Sequence, residues 1–291
     1  MSAHFTLSEA RIAILGLGLM GGSLALALRG KCKALYAFDP DPETVTLACQ
    51  QQIADRVSSN PVDILLESDM VILAAPVRGI MALIQRLPEM HPGTPVVLDL
   101  GSTKEQICRR MEALPPRFDP IGGHPMCGKE TPGLSNAEAA IFEGAPFALT
   151  PLERTSSLAR KLADQLVNAI GSSPIWLDPA MHDRWVAATS QLPYLLSISL
   201  ALATPQEAAP MVGPGYRGAT RLAASSVTMM VDTLTTNREN IIRAMGEFRS
   251  QLDKIESALH DPSAERLANM LHSSSAARKQ IVEDQRSGVS P

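Results

Sequence analysis

The chain has 291 residues, 45% of them hydrophobic and 19% charged, a globular balance with enough apolar residues for a substantial core in one or two domains. Its formal charge of −4 comes from 26 Lys and Arg against 30 Asp and Glu, with no basic run and few aromatics, so a nucleic-acid surface has no support. The four cysteines, Cys32, Cys49, Cys108 and Cys127, have no C-x-x-C spacing, which predicts reduced thiols in a cytoplasmic protein and speaks against a disulfide frame or a bound metal.

Residues 1–10 are polar and read as loose. The apolar run 12–15 then passes into Gly16-Leu17-Gly18-Leu19-Met20-Gly21, a G-x-G-x-x-G motif, and a helix-compatible segment over 23–29 stops at Gly30. In a strand–turn–helix unit each glycine has a mechanical reason. Gly16 allows the turn, Gly18 lets the backbone approach a pyrophosphate, and Gly21 lets the helix pack near the strand. The free N–H groups at the helix start would meet the ligand's negative charge. A second apolar run, 34–38, ends on Asp39, about 20 residues after the first glycine, where a carboxylate can hydrogen-bond ribose hydroxyls. The same carboxylate would repel a 2′-phosphate, and no Arg or Lys follows until Arg56, so NAD is favoured over NADP.

Asp41-Pro42-Glu43 reads as a helix start with proline in the first turn. The continuous apolar run 70–76, ending in Ala75 and Pro76, suits a strand buried on both faces, and a helix is expected over 79–87. Residues 95–102 form a further strand and turn, 103–111 a helix, and 118–123 a fifth strand that ends just before His124. After a loop rich in glycine and proline, segments 146–150 and 174–177 flank a helix over 156–170 and read as closing strands. The alternation predicts an α/β fold of Rossmann type, a doubly wound parallel sheet. Ligands in such sheets gather at the strands' carboxyl ends, so Gly16, Asp39, Pro76 and Ser102 should surround one crevice.

From Pro179 the pattern becomes helical, which divides the chain into a nucleotide-binding domain over 1–178 and a helical domain over 179–291. Within the latter, Ile241, Met245, Phe248, Leu252, Ile255 and Leu259 recur at steps of four and three, a heptad seam able to face the same chain or a second copy. Asp261-Pro262 breaks that helix, another follows over about 264–282, and the end from Ser287-Gly288 reads as frayed. Two stretches imitate membrane segments. Residues 12–28 behind Arg11 resemble a signal core, but their glycines keep the nucleotide spacing; 185–203 lacks charge but holds Thr189, Ser190, Gln191, Ser197 and Ser199, and is expected as a buried helix. No membrane partner is expected.

His124 is the foremost chemical candidate. Gly122-Gly123 before it and Pro125 after it fix its backbone beyond a strand end, and a neutral imidazole, with pKa near ~6.5, can take a proton from a substrate hydroxyl as hydride leaves the same carbon. Cys127 lies close by but has no evident third group to orient it as a nucleophile. His4, His91, His260 and His272 show no metal spacing.

Gly122-Gly123-His124-Pro125-Met126-x-Gly128, with Asp99-Leu100-Gly101-Ser102-Thr103-Lys104 upstream and Gly215-Tyr216-Arg217-Gly218-Ala219-Thr220-Arg221 downstream, resembles the prephenate and arogenate dehydrogenases of tyrosine biosynthesis. The resemblance covers about residues 11–260. It implies that His124 acts as base on the ring C4 hydroxyl, and that Ser102 lies near the nicotinamide and helps orient that histidine. It further implies that Glu130 stands near the substrate mouth and that Arg221 holds the ring carboxylate, with Arg217 as a second cation. His182-Asp183 matches a family pair that reads as structural or gate-forming, and the helical half is expected to form a homodimer. With so little chain outside 11–286, any feedback by tyrosine is expected at the active site itself.

The chain departs from the family on the substrate side. Gln191 and Tyr194 stand where many relatives carry histidines, Gly218 replaces an aspartate, and Met230 replaces a tryptophan found in some members. Two alternatives compete: a β-hydroxyacid dehydrogenase, which needs a catalytic lysine that 185–203 lacks, and a noncatalytic dinucleotide-sensing module, which has no need of Ser102, His124 and Arg221 together.

Overall fold

A computed structural model describes residues 5–287. His4, the start of the expected loose segment and the chain from Gly288 lie outside the described residues. What is described of that segment is ordered: Thr6 and Glu9 form a reciprocal cap around a short helical turn, Leu7–Glu9, and Leu7 is buried.

The strands are β1 (Arg11–Leu15), β2 (Ala34–Phe38), β3 (Arg56–Ser58), β4 (Met70–Leu73), β5 (Val96–Asp99), β6 (Asp119–Pro125), β7 (Pro146–Pro151) and β8 (Ser173–Trp176). They form one sheet in the order β3-β2-β1-β4-β5-β6-β7-β8. All pairings are parallel except β6 with β7, which is antiparallel. The short edge strand β3 was missed by the apolar pattern because its three residues are exposed or half-buried and include Arg56.

Helices α1 (Leu19–Leu28), α2 (Pro42–Gln50), α3 (Val62–Leu65), α4 (Val77–Met90), α5 (Glu105–Glu112) and α6 (Ser157–Ala169) belong to the sheet. Caps set two of their starts, the first of them read from the sequence. The Asp41 side chain accepts from the N–H groups of Glu43 and Thr44, and Ser156 accepts from those of Leu158 and Ala159. Strand alternation splits the core in two. Ile12 and Ile14 pack with Leu24 of α1 and Leu162 and Leu166 of α6; Ala13 and Leu15 pack with Ile80 and Ile84 of α4 and Ile107 of α5 on the other face. β4, with all four residues buried, is a strand covered on both sides.

After β8 the chain is helical: α7 (Pro179–Val186), a π-helical stretch Ala187–Gln191, α8 (Leu192–Ala203), α9 (Pro214–Thr220), α10 (Val227–Thr236), α11 (Arg238–Leu259) and α12 (Ala264–Ser287). α7 packs on α5 and β7, and α10 packs on α4, so residues up to Arg238 form one compact unit and those from Glu239 form a second. The stretch Pro179–Ala203 has the length and apolarity of a membrane span but is not the buried helix expected over 185–203. Only one face is covered, with Gln191, Tyr194 and Ser197 buried and Leu202 83% exposed, because π-helical geometry and the Ser197 hydroxyl, which accepts from Ala223 N, tie just that face into the unit. In α11 the heptad residues Leu252, Ile255 and Leu259 are exposed.

Candidate active site

The turn from β1 to α1 is shaped by close backbone approach. Gly16 has φ +108°, and a Cβ there would lie 2.4 Å from the Ala74 carbonyl oxygen; one on Gly21 would lie 1.9 Å from the Gly16 oxygen. Gly18, the N-cap of α1, instead faces open space, and no side chain caps that helix. Asp39, just past β2, accepts from Leu17 N at 2.8 Å and from Asp41 N at 3.0 Å. Because β1 lies between β2 and β4, the turn opens at the point where strand order reverses. Uncapped amides, a glycine facing space and a carboxylate at the neighbouring strand end fit the pyrophosphate and ribose of a dinucleotide.

A cleft of about 370 Å³ runs from this turn past the ends of β4, β5 and β6. Gly18, Leu19, Met20, Ala75, Pro76 and Ser102 line it, together with His124, Glu130 and Gln191. Of the other expected cofactor residues, Gly16 and Gly21 shape the turn from behind, and Asp39 holds it through Leu17 N. The Leu17 side chain is buried in the core, so this residue supports the turn without facing the cleft.

His124 lies within β6 and not beyond its end, as the sequence suggests. The parallel pairing with β5 stops at Ile121, but the antiparallel pairing with β7 continues through Pro125 and carries the strand past the histidine. His124 Nδ1 is 2.9 Å from His182 Nε2, with the rings edge to face, and His182 Nδ1 is 2.8 Å from Asp183 Oδ1. Asp183 also accepts from Lys104 N at 2.6 Å and Glu105 N at 3.0 Å, so α7 caps the start of α5 from a distance.

These bonds fix the tautomers. Two backbone N–H groups already donate to Asp183; burial raises its pKa, but those two bonds and the Lys104 charge oppose the rise, and the carboxylate accepts from His182 Nδ1–H. His182 Nε2 is then the acceptor for His124 Nδ1–H, and the lone pair of His124 Nε2 is left for the cleft. Burial pulls the His124 pKa well below its ordinary value, with His182 and the Lys104 ammonium adding to the shift; burial and then Lys104 bring His182 to about 3. Both rings are neutral near pH 7.

Beneath them Lys104 and Asp99 form a fully buried ion pair. Lys104 Nζ also donates to the Gly123 carbonyl at 2.6 Å, next to His124, while Asp99 accepts from Gly101 N and Gly123 N. Burial raises the Asp99 pKa and the Lys104 charge opposes that rise. Ser102, expected to help orient His124, lines the cleft but makes no hydrogen bond to it; the imidazole's hydrogen-bond partner is His182, which α7 brings against the back of the ring. Cys127 also lines the cleft, yet burial pushes its thiol up to about 11, which keeps it protonated and a poor nucleophile.

On the substrate side Arg221 pairs with Glu130 at the cleft margin, with Arg221 60% exposed. Gln191 lines the cleft; Tyr194 is buried one turn further along and does not line it; Arg217 is exposed on α9 and is not brought to the cleft. Among the described residues no cluster of His, Cys, Asp and Glu could hold a metal ion.

Two family models cover this architecture: prephenate dehydrogenase, nucleotide-binding domain, matches residues 24–175, and prephenate dehydrogenase, dimerization domain, matches residues 178–273. The chain belongs to the prephenate/arogenate dehydrogenase family. Membership makes it an NAD(P)-dependent oxidoreductase. Similar proteins include a prephenate dehydrogenase of Bacillus subtilis, 30% identical over 88% of this chain and 72% of the relative, and a cyclohexadienyl dehydrogenase of Zymomonas mobilis, 26% identical over 94% and 96%. A crystal structure of prephenate dehydrogenase from A. aeolicus in complex with hydroxyphenyl propionate and NAD+ superposes with a TM-score of 0.86, at 28% identity, covering 94% of this chain and 99% of that one.

Within this dehydrogenase fold, the group that sequence reading undervalued is His182-Asp183. The signal was present as an adjacent His-Asp pair in a helix started by Asp178, whose carboxylate caps Met181 N. Asn237, which joins Gln191 to the Asp183 backbone, had no sequence signal.

Proposed function

We propose that this protein is an NAD-preferring enzyme that oxidatively decarboxylates prephenate to 4-hydroxyphenylpyruvate or arogenate to tyrosine, with His124 as the base. The observation that carries this reading is that His124, held at Nδ1 by His182, lines the same cleft as the Gly18 turn. NAD, when bound, supplies the acceptor for the hydride that leaves C4 of the ring. His124 Nε2 takes the proton of the C4 hydroxyl, and the positive charge that develops on its ring is shared through His182 with the Asp183 carboxylate. The substrate is left as a dienone with its ring carboxylate vinylogous to a β-keto acid; carbon dioxide departs and the ring becomes aromatic.

The remaining assignments follow from position. Ser102 offers a hydroxyl to the cleft. Arg221, still paired with Glu130, turns its remaining guanidinium N–H groups to the ring carboxylate, and Arg217, exposed on α9 outside the cleft, adds only to the longer-range positive field. Tyr194 supports the helix that carries Gln191. Asp39 favours NAD because its carboxylate would meet a 2′-phosphate, and Arg56, the next cation along the chain, is engaged over the Tyr36 ring and with the Asp63 carbonyl. The domain division at 178/179 goes with this reading, supported by the last strand ending at Trp176. A homodimer through the helical part is supported by the exposed Leu202, Met211, Val227 and Val231, and a cytoplasmic location by four free thiols.

His124→Asn tests the reading. NAD binding should be unchanged, while turnover of either substrate falls roughly 100- to 10,000-fold. Turnover close to that of the parent enzyme would end the proposal, and equal kcat/KM with NADP would remove the role given to Asp39.

A further inference from the structure

Gln191 closes the π-helical stretch and lines the cleft beside Ser190, Met229 and Thr233, although the residue as a whole is 1% exposed. Its amide orientation is determined by what lies behind it. Asn237 Nδ2 is 2.7 Å from the carbonyl oxygen of Asp183 and 2.8 Å from the side-chain oxygen of Gln191. A backbone carbonyl only accepts, so the Asn237 atom facing it must be the nitrogen. That NH2 group spends one hydrogen on Asp183 and the other on Gln191, which must therefore present its oxygen to Asn237. The NH2 of Gln191 is what remains for the cleft. It has no hydrogen-bond partner among the described residues, and no buried side-chain nitrogen or oxygen is left unpartnered, so this nitrogen opens onto the cleft.

The charges around the cleft point the same way. Besides His124 and Cys127, whose thiol burial keeps protonated, its ionisable side chains are Lys129, paired with Glu138 at 2.7 Å, and Glu130, paired with Arg221. Among the described residues the lining offers an oriented N–H donor and no uncommitted carboxylate. A carbonyl or carboxylate oxygen is well served by such a wall. An ammonium group would leave water for a site with no anion of its own.

We infer that Gln191, held amide-nitrogen-outward by Asn237, selects a substrate side chain carrying a 2-oxo acid over the same side chain carrying a 2-ammonio acid. This rests on the reaction proposed above and assigns Gln191 as the selecting residue and Asn237 as a positioning residue. Prephenate is of the first class and arogenate of the second.

The test compares kcat/KM for the two substrates in the full chain with NAD. The parent enzyme should prefer prephenate. Gln191→Glu keeps an oxygen for Asn237 and turns a carboxylate oxygen to the cleft; it should move the prephenate-to-arogenate ratio toward arogenate by at least 10-fold. Asn237→Ala frees the amide to rotate and should narrow the ratio through KM, with NAD affinity unchanged. A parent preference for arogenate, or a ratio that stays within twofold in both variants, overturns the inference. If both substrates weaken equally in Gln191→Glu, the amide reads a group common to both and the inference also falls. A parent enzyme that oxidises neither substrate overturns the proposed reaction as well, which separates the two failures.

Discussion

The two walls of the cleft are built on different terms. On the sheet side, Asp99 and Lys104 are completely buried, His182 and Asp183 are each 1% exposed, and among the described residues no buried side-chain nitrogen or oxygen lacks a partner. On the helical side, Arg221 and Glu130 meet as a partly exposed pair, and Met229 is 38% exposed. The difference teaches where precision is needed. On the reading proposed above, the proton acceptor must keep one tautomer and one position, so its support lies in the low-dielectric core, while groups that receive a substrate stay near water.

Breaking the sheet-side wall should have the largest effect. Lys104→Met leaves the Asp99 carboxylate buried without its cation, and urea denaturation should show a loss of about 3–5 kcal/mol. A loss below about 1 kcal/mol would mean that the pair is not the sealed unit described. Asp183→Asn removes the carboxylate that sets the imidazole tautomers, and kcat should fall roughly 100-fold at pH 7 with NAD binding retained. An unchanged kcat would reduce His182-Asp183 to a structural helix cap.

The same burial predicts a pH response. Burial lowers the pKa of His91, His124 and His182 in the native protein, while the unfolded chain takes up protons from about pH 6.5 downward. At these histidines the unfolded state binds more protons in that window, so their contribution to stability falls as pH drops from 6.5 toward the native value of about 3 for His182, by up to about 1.4 kcal/mol per pH unit for each, while the raised pKa values of Asp99 and Asp183 act in the opposite direction. Denaturation series at several pH values should show this slope, and His182→Gln should flatten it. The acid limb of kcat/KM, set by His124, should lie below 6.5; a limb above that value would contradict a ring that burial keeps neutral. The helical wall should respond least in stability. Arg221→Ala should change it by no more than about 0.5 kcal/mol, because an exposed pair is screened, yet KM for either substrate should rise about 10-fold.

Much of the nucleotide half was legible because its signals are local. The glycines of the first turn, the carboxylate at the end of the second strand and the helix start at Asp41 act on backbone nearby. His124 was legible as a candidate from its flanking glycines and proline. Its position within a strand was not, since that depended on β7 arriving antiparallel.

By itself, then, the sequence determined the strand–turn–helix start, the alternation of strands and helices and the change to helices after Trp176, and it marked His124 as a candidate for proton transfer. These depend on steric and hydrogen-bonding preferences that repeat every two to four residues. Only the tertiary structure decided which groups stand behind that histidine. His182 is 58 positions away from it, Asp183 caps a helix 79 positions before itself, and Asn237 orients Gln191 across 46. Such pairings form when packing of the two core faces brings distant backbone together, and no local pattern encodes the distance at which they meet.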